Sequence, residues 1–171
     1  MRPAYQIVLS ELRLLEKLRN FHPVVIGTPP LEIDVETSDI DIACSSEGVS
    51  SFCETVKARF PELFVKGKHM NVRGEPTACA KLRSHGWDIE LFCQGIAVER
   101  QWGVRHFVIE RRLLNLAPYL RSKVRKLKNE GVKTEPAFAR VLQLTGDPYE
   151  AMLQLETMAD DELVELASRS I

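Results

Sequence analysis

Between Val24 and Ile42 two short apolar runs flank a loop. Val24-Val25-Ile26 leads into Gly27-Thr28 and then Pro29 to Ser38, and Asp39-Ile40-Asp41-Ile42 follows. A run that alternates acid with isoleucine has one apolar face and one acidic face when extended, because successive strand side chains point to opposite sides. If the segment is a strand, both isoleucines share one face and both carboxylates the other. At a rise of about 3.3 Å per residue the two aspartates stand roughly 7 Å apart. At an effective dielectric near 20 their repulsion is about 2.4 kcal/mol. A divalent cation between them reverses the sign of that interaction, and oxygen-only ligands around an open position suit Mg²⁺ or Mn²⁺. The plainer alternative is a wet outer face on an amphipathic strand, the commoner fate of a lone Asp-x-Asp.

The 171 residues suffice for one domain, or one core domain with a helical appendage, without disulfide staples. A formal net charge of -1 argues against a dedicated nucleic-acid binder, which is usually visibly basic. Cys44, Cys53, Cys79 and Cys93 form no C-x-x-C pair and no His stands at zinc-finger spacing, so free thiols in a reducing cytoplasm are expected. The first twenty residues alternate apolar with charged side chains and read as neither signal peptide nor membrane span.

Apolar residues at helical spacing predict a first helix over Tyr5 to Asn20. Strands are expected at Val24 to Ile26 and Asp39 to Ala43, then a helix near Val49 to Phe60. One or two strands should follow in Leu63 to Val72, broken by Lys66-Gly67-Lys68. A hairpin-like pair, Thr77 to Leu82 with Trp87 to Cys93, should turn around Ser84-His85-Gly86. From Val98 onward the pattern is helical: Val98 to Leu116, Pro118 to Asn129, Glu135 to Leu144, Pro148 to Thr157 and Asp160 to Ser168. Strands early and helices late predict an α+β chain, a mixed sheet flanked by helices with a C-terminal helical bundle. The expected division is a core over residues 1–97 and a helical region over 98–171 packed on it.

The order apolar-Gly27-Thr28, spacer, Ser38-Asp39-Ile40-Asp41-Ile42 resembles the signature of the nucleotidyltransferase (DNA polymerase beta-like) superfamily. That signature pairs Gly with a small residue after a strand and places a paired-aspartate strand about a dozen residues on. Glu90-Leu91-Phe92-Cys93-Gln94, Lys133-Thr134-Glu135-Pro136-Ala137-Phe138-Ala139 and Gly146-Asp147-Pro148-Tyr149 narrow the resemblance to an uncharacterised bacterial family within that superfamily. The resemblance implies a nucleotidyltransferase-like core and transfer of a nucleoside monophosphate from a nucleoside triphosphate to an acceptor hydroxyl, with Mg²⁺ or Mn²⁺ as cofactor. It implies that Asp39 and Asp41 hold both metals and that Glu90 is the third carboxylate, with Asp88 in reserve. Gly27 and Thr28 would face the nucleotide phosphates, with Ser38 beside them.

The loop from Pro29 to Thr37 departs from that pattern, with Glu32, Asp34 and Glu36 and no basic residue. Cations for the outer phosphates must come from elsewhere. Arg105 is one candidate; Arg121, Arg125 and Lys128 share a helical face, although such runs are more often simply solvated helix surface. Lys133 is the strongest, beside the expected helix start at Thr134-Glu135-Pro136, although the same residues serve simply as a helix opening. His106 falls on an apolar stripe, where a histidine is usually a satisfied core residue. Gln94 shares the Glu90 face. The near-neutral charge favours a small molecule or protein acceptor over a long RNA. Two other functions fit the same residues: a non-catalytic nucleotide-binding or protein-interaction module of the toxin–antitoxin kind, and a phosphohydrolase.

Overall fold

The protein is described here by a computed structural model, covering residues 2–169. Five strands form one mixed sheet in the order β1-β2-β5-β4-β3: β1 Val24–Ile26, β2 Ile40–Ser45, β3 Phe64–Val72, β4 Glu75–Ser84 and β5 Trp87–Gln94. The β2–β5 pair is parallel and the other pairs are antiparallel. Eight α-helices are present among the described residues. They are α1 Tyr5–Glu11, α2 Leu14–Lys17, α3 Phe52–Arg59, α4 Trp102–Leu116, α5 Leu120–Asn129, α6 Thr134–Val141, α7 Pro148–Gln154 and α8 Asp160–Ser168. The α+β class and the mixed sheet flanked by helices are as the sequence pattern predicts.

The contacts divide the chain into two compact units. One runs to Pro29 and resumes over Ser38–Val104; the other joins Pro30–Thr37 to the chain from Arg105 onward. In the first unit, strand alternation sorts the side chains. Ile40, Ile42, Ile89, Leu91, Ala80 and Leu82 are fully buried and share one cluster with Val8, Leu14, Phe52 and Val56 of α1 to α3. The odd-even partners of these residues, Asp41, Glu90 and Lys81, therefore fall on the opposite face. All four cysteines are free and buried, and burial pushes the Cys93 thiol up to about 12, which keeps it unreactive.

Several elements differ from the sequence expectation. The first helix is broken: Arg13 takes a left-handed φ of 49° between α1 and α2, so one apolar stripe serves two short helices. β3 is continuous through Lys66-Gly67-Lys68, because Gly67 fits against Cys53 where a Cβ would stand 2.8 Å from the Cys53 Cβ. The helix expected from Val98 starts at Trp102, after a single 3₁₀ turn and an extended Gln101.

In the second unit α5 packs on α6 and α6 on α7. Asp147 caps α7 by accepting from the Tyr149 and Glu150 amides at 3.0 Å. The N-cap of α6 is Lys133, with Thr134 already in the helix, its hydroxyl accepting from Lys128 Nζ at 3.1 Å. Glu110 of α4 is buried, and its Oε1 has no hydrogen-bond partner among the described residues. Burial raises its pKa well above the ordinary carboxylate value, the charge of Glu135 adds to that, and Lys128 opposes it. The folded chain therefore binds this proton more tightly than the unfolded chain does. That contribution to stability is fully present below the ordinary carboxylate pKa and is lost as pH rises towards the folded value. Glu110→Gln, which mimics the protonated acid, is expected to melt a few degrees above the wild type at pH 8 and level with it at pH 4.5. About 1 kcal/mol corresponds to roughly 2–4 °C for a chain of this size. A variant that melts lower than the wild type at pH 8 in thermal scans would show that the carboxylate is needed in its charged form.

Candidate active site

The site begins with the register of β2 on β5, which sets Asp41 directly beside Glu90. Asp39 lies just before β2 and points to the same side. Among the described residues, Asp39, Asp41 and Glu90 each offer a carboxylate oxygen, all within 4.8 Å of one another, and all three side chains are half-buried. The structure thus brings together the three carboxylates singled out in the sequence. Burial raises the Asp39 pKa; a hydrogen bond from its own backbone opposes the rise, and the charge of Glu90 adds to it. A bound cation would relieve that penalty.

Gly27 shapes the floor. It takes a φ of +79°, and a Cβ there would lie 2.3 Å from Asp41 Oδ2. Only a residue without a side chain lets the backbone come this close to the carboxylate. The next residue, Thr28, is buried and donates through Oγ1 to the Ser38 hydroxyl at 3.1 Å. Arg2 donates to the Ser38 carbonyl at 2.6 Å while its guanidinium stacks 3.3 Å above the Trp87 ring. The two ends of the Gly27 to Ser38 segment are thereby held beside Asp39.

Lys81 is the residue the sequence reading missed. Its Nζ lies 3.2 Å from Glu90 Oε1 and 2.9 Å from Asp88 Oδ2, so it holds Glu90 on the site face. A signal for it existed: closing β4 and β5 around His85-Gly86 pairs Ser84 with Trp87, and counting outward pairs Lys81 with Glu90. Asp88 is otherwise engaged. Its carboxylate accepts from Arg83 Nε at 2.7 Å, and that bond, with the one from Lys81, holds its pKa down to about 2. Glu90 is therefore the carboxylate that joins the aspartates, and Asp88 is the one that anchors Lys81.

The chemistry of this donor set fits a divalent metal: oxygen ligands alone, three carboxylates in reach of one point, and a glycine leaving room beside one of them. The Lys81 ammonium offsets one of the three charges.

Of the remaining candidates, all but Gln94 lie in the second unit. Arg105 makes a two-point ion pair with Glu156, at 2.9 and 2.6 Å. Arg121 donates to the Leu31 and Leu114 carbonyls and Arg125 to the Glu32 carbonyl, so this part of the basic run clamps the acidic loop rather than lining a bare surface. His106 is buried and donates through Nε2 to the Tyr149 carbonyl at 2.9 Å, with Nδ1 3.6 Å from Glu135. Gln94, back in the first unit, donates to the Thr77 hydroxyl at 3.0 Å.

The profile of a family described as Domain of unknown function (DUF4269) matches residues 7–155. Among solved structures, the chain is similar to Cid1 poly(U) polymerase with MgGTP bound, at a TM-score of 0.56 and 12% identity, over 89% of this chain and 48% of that one. It is similar to a cytoplasmic RNA terminal U-transferase at a TM-score of 0.54 and 16% identity, over 89% and 46%. The chain thus spans just under half the length of these proteins, and the likeness shows a nucleotidyltransferase-like fold. No curated protein sequence matches significantly. Among the described residues no helix is long and apolar enough to cross a membrane.

Proposed function

The chain belongs to that DUF4269 family, and we propose that it is a metal-dependent nucleotidyltransferase, moving a nucleoside monophosphate from a nucleoside triphosphate to an acceptor hydroxyl. The observation that carries this reading is the meeting of Asp39, Asp41 and Glu90 within 4.8 Å, beside a glycine turn, on a nucleotidyltransferase-like fold. Mg²⁺ or Mn²⁺ bound there would polarise the α-phosphate, lower the pKa of the acceptor hydroxyl and offset charge on the departing pyrophosphate.

In this reading Asp39 and Asp41 would hold the metal, and Glu90 would complete the donor set and face the acceptor hydroxyl. Lys81 keeps Glu90 turned to the site. The Gly27-Thr28 backbone offers N–H groups to the phosphates, and the absence of a side chain on Gly27 allows their close approach. Ser38 orients Thr28 through their hydroxyl pair. Such catalysis is mostly positioning and charge neutralisation, so few further groups are required. Lys133 and Arg105 lie in the second unit, and the reading does not depend on them.

A thermal-shift panel of the four ribonucleoside triphosphates with Mg²⁺ or Mn²⁺ tests it. A nucleotide at a hundredfold its dissociation constant stabilises by roughly 2.7 kcal/mol, a rise of about 5 to 10 °C for a chain of this size. The expected result is such a rise with at least one nucleotide, dependent on metal and lost in Asp39→Ala. No rise with any nucleotide overturns the reading. The loop without cations favours a second reading, nucleotide binding without turnover, in which the shift appears but no pyrophosphate is released. Release of monophosphate instead would mark a phosphohydrolase.

A further inference from the structure

Beside the carboxylates a cleft of about 390 Å³ opens, lined by residues of the first unit alone. Resting on the reading above, we propose that this cleft is the acceptor pocket and that the acceptor is a small hydroxyl-bearing molecule with an apolar ring body, not the end of a polynucleotide.

Asp41 and Glu90 line the cleft, whereas Asp39, Thr28 and Ser38 do not. The space therefore leaves the cluster on the Glu90 side and not on the side of the Thr28–Ser38 pair, where the phosphates are placed. A hydroxyl entering through it meets Glu90. There the hydroxyl oxygen attacks the α-phosphorus and a new P–O bond forms. The bond from that phosphorus to the bridging oxygen breaks with its electron pair on pyrophosphate, and the hydroxyl proton passes to Glu90.

The volume is in the range of small-molecule sites, about 300–1,000 Å³. The walls are mostly apolar: Ala43 and Phe92 stand side by side in register on β2 and β5, and Val72, Ile96 and Trp102 add to them. The Ile96 wall is fixed, because the buried Gln101 donates through Nε2 to the Ile96 and Cys44 carbonyls, at 3.2 and 2.7 Å. A polynucleotide needs a line of cations along successive phosphates and open aromatic faces for its bases. This cleft has two arginines, Arg73 and Arg100, sharing the space with Glu75. Arg73 lies 3.3 Å over the Trp102 ring and covers that face. A rigid ring with one hydroxyl fits such walls; a charged strand does not.

The chain has two tryptophans, which makes the test direct. Trp102 lines the cleft, and Trp87 donates its indole N–H to the Pro3 carbonyl and serves as an internal reference. The probes are p-cresol, cyclohexanol and phenyl glucoside, with a short single-stranded RNA as contrast. They are added to the ¹⁵N-labelled protein with and without Mg²⁺ and a non-hydrolysable nucleoside triphosphate. The expected result is that at least one ring compound moves the Trp102 indole signal and not that of Trp87, binds together with the nucleotide, and weakens tenfold or more in Ile96→Phe and in Val72→Phe. The two variants fill the cleft from different walls, and a dispersed spectrum confirms that each is folded. The proposal is overturned if only the RNA moves Trp102, if the ring compounds displace the nucleotide, if none binds, or if both filled variants bind them as the wild type does. Loss of the nucleotide response alone, with ring binding intact, would instead count against the nucleotidyltransferase reading.

Discussion

Asp41→Asn is expected to lower metal-dependent pyrophosphate release by roughly 10³-fold, about 4 kcal/mol of transition-state stabilisation, with the fold intact. Asp41 stands in register beside Glu90 and within 4.8 Å of Asp39, at the centre of the cluster. Asparagine keeps the size and one carbonyl oxygen but removes the charge that binds the cation. The isoleucines flanking it carry the core contacts, so their packing does not depend on the carboxylate. Removing one of three like charges also relieves repulsion worth up to a few kcal/mol at an effective dielectric near 20. The metal-free variant should therefore melt no lower than the wild type. Initial rates of pyrophosphate release at saturating nucleotide and Mg²⁺, beside melting curves without metal, measure both halves. A rate within threefold of wild type would remove Asp41 from the metal site.

Gly27→Ala should cost both stability and turnover. The position has φ +79°, where an L side chain costs roughly 1–2 kcal/mol. The new Cβ would also stand 2.3 Å from Asp41 Oδ2 and 3.1 Å from its Cγ. The carboxylate end can swing aside, so the clash is relieved by moving the ligand rather than the strand. A displacement of about 1 Å from productive geometry costs on the order of 10² in rate. The expected outcome is a melting temperature a few degrees lower, about 2–4 °C per kcal/mol, with turnover down about a hundredfold. Titrating Mg²⁺ against the rate separates the two effects: a higher metal requirement is the signature of a displaced Asp41. A loss of stability with an unchanged metal requirement would mean that Gly27 serves the turn only.

The acidic strand was legible because its information is local. Alternation along Asp39-Ile40-Asp41-Ile42 depends only on strand geometry, and the same holds for Ile89-Glu90-Leu91, so the faces on which the carboxylates stand follow from the residues themselves. The hairpin carried Lys81 as well, for anyone counting outward from His85-Gly86. Helix interruption was not legible. Nothing in the apolar stripe of Tyr5 to Asn20 marks the left-handed Arg13, because a helix and two half-helices bury the same spacing. The basic run was misleading for a related reason. Arg121 and Arg125 look like solvated surface until the loop carbonyls of Leu31 and Glu32 arrive as acceptors from far along the chain.

By itself the sequence determined the class of the chain, the two-faced strands and the identity of the acidic residues, since each rests on neighbours in the chain. Tertiary structure alone decided that β2 lies parallel to β5 with Asp41 beside Glu90, that Asp88 is spent on Arg83 and Lys81, and that a cleft opens at Glu90. Register between strands distant in sequence is set by packing and by the path of the intervening chain, and no local pattern encodes it.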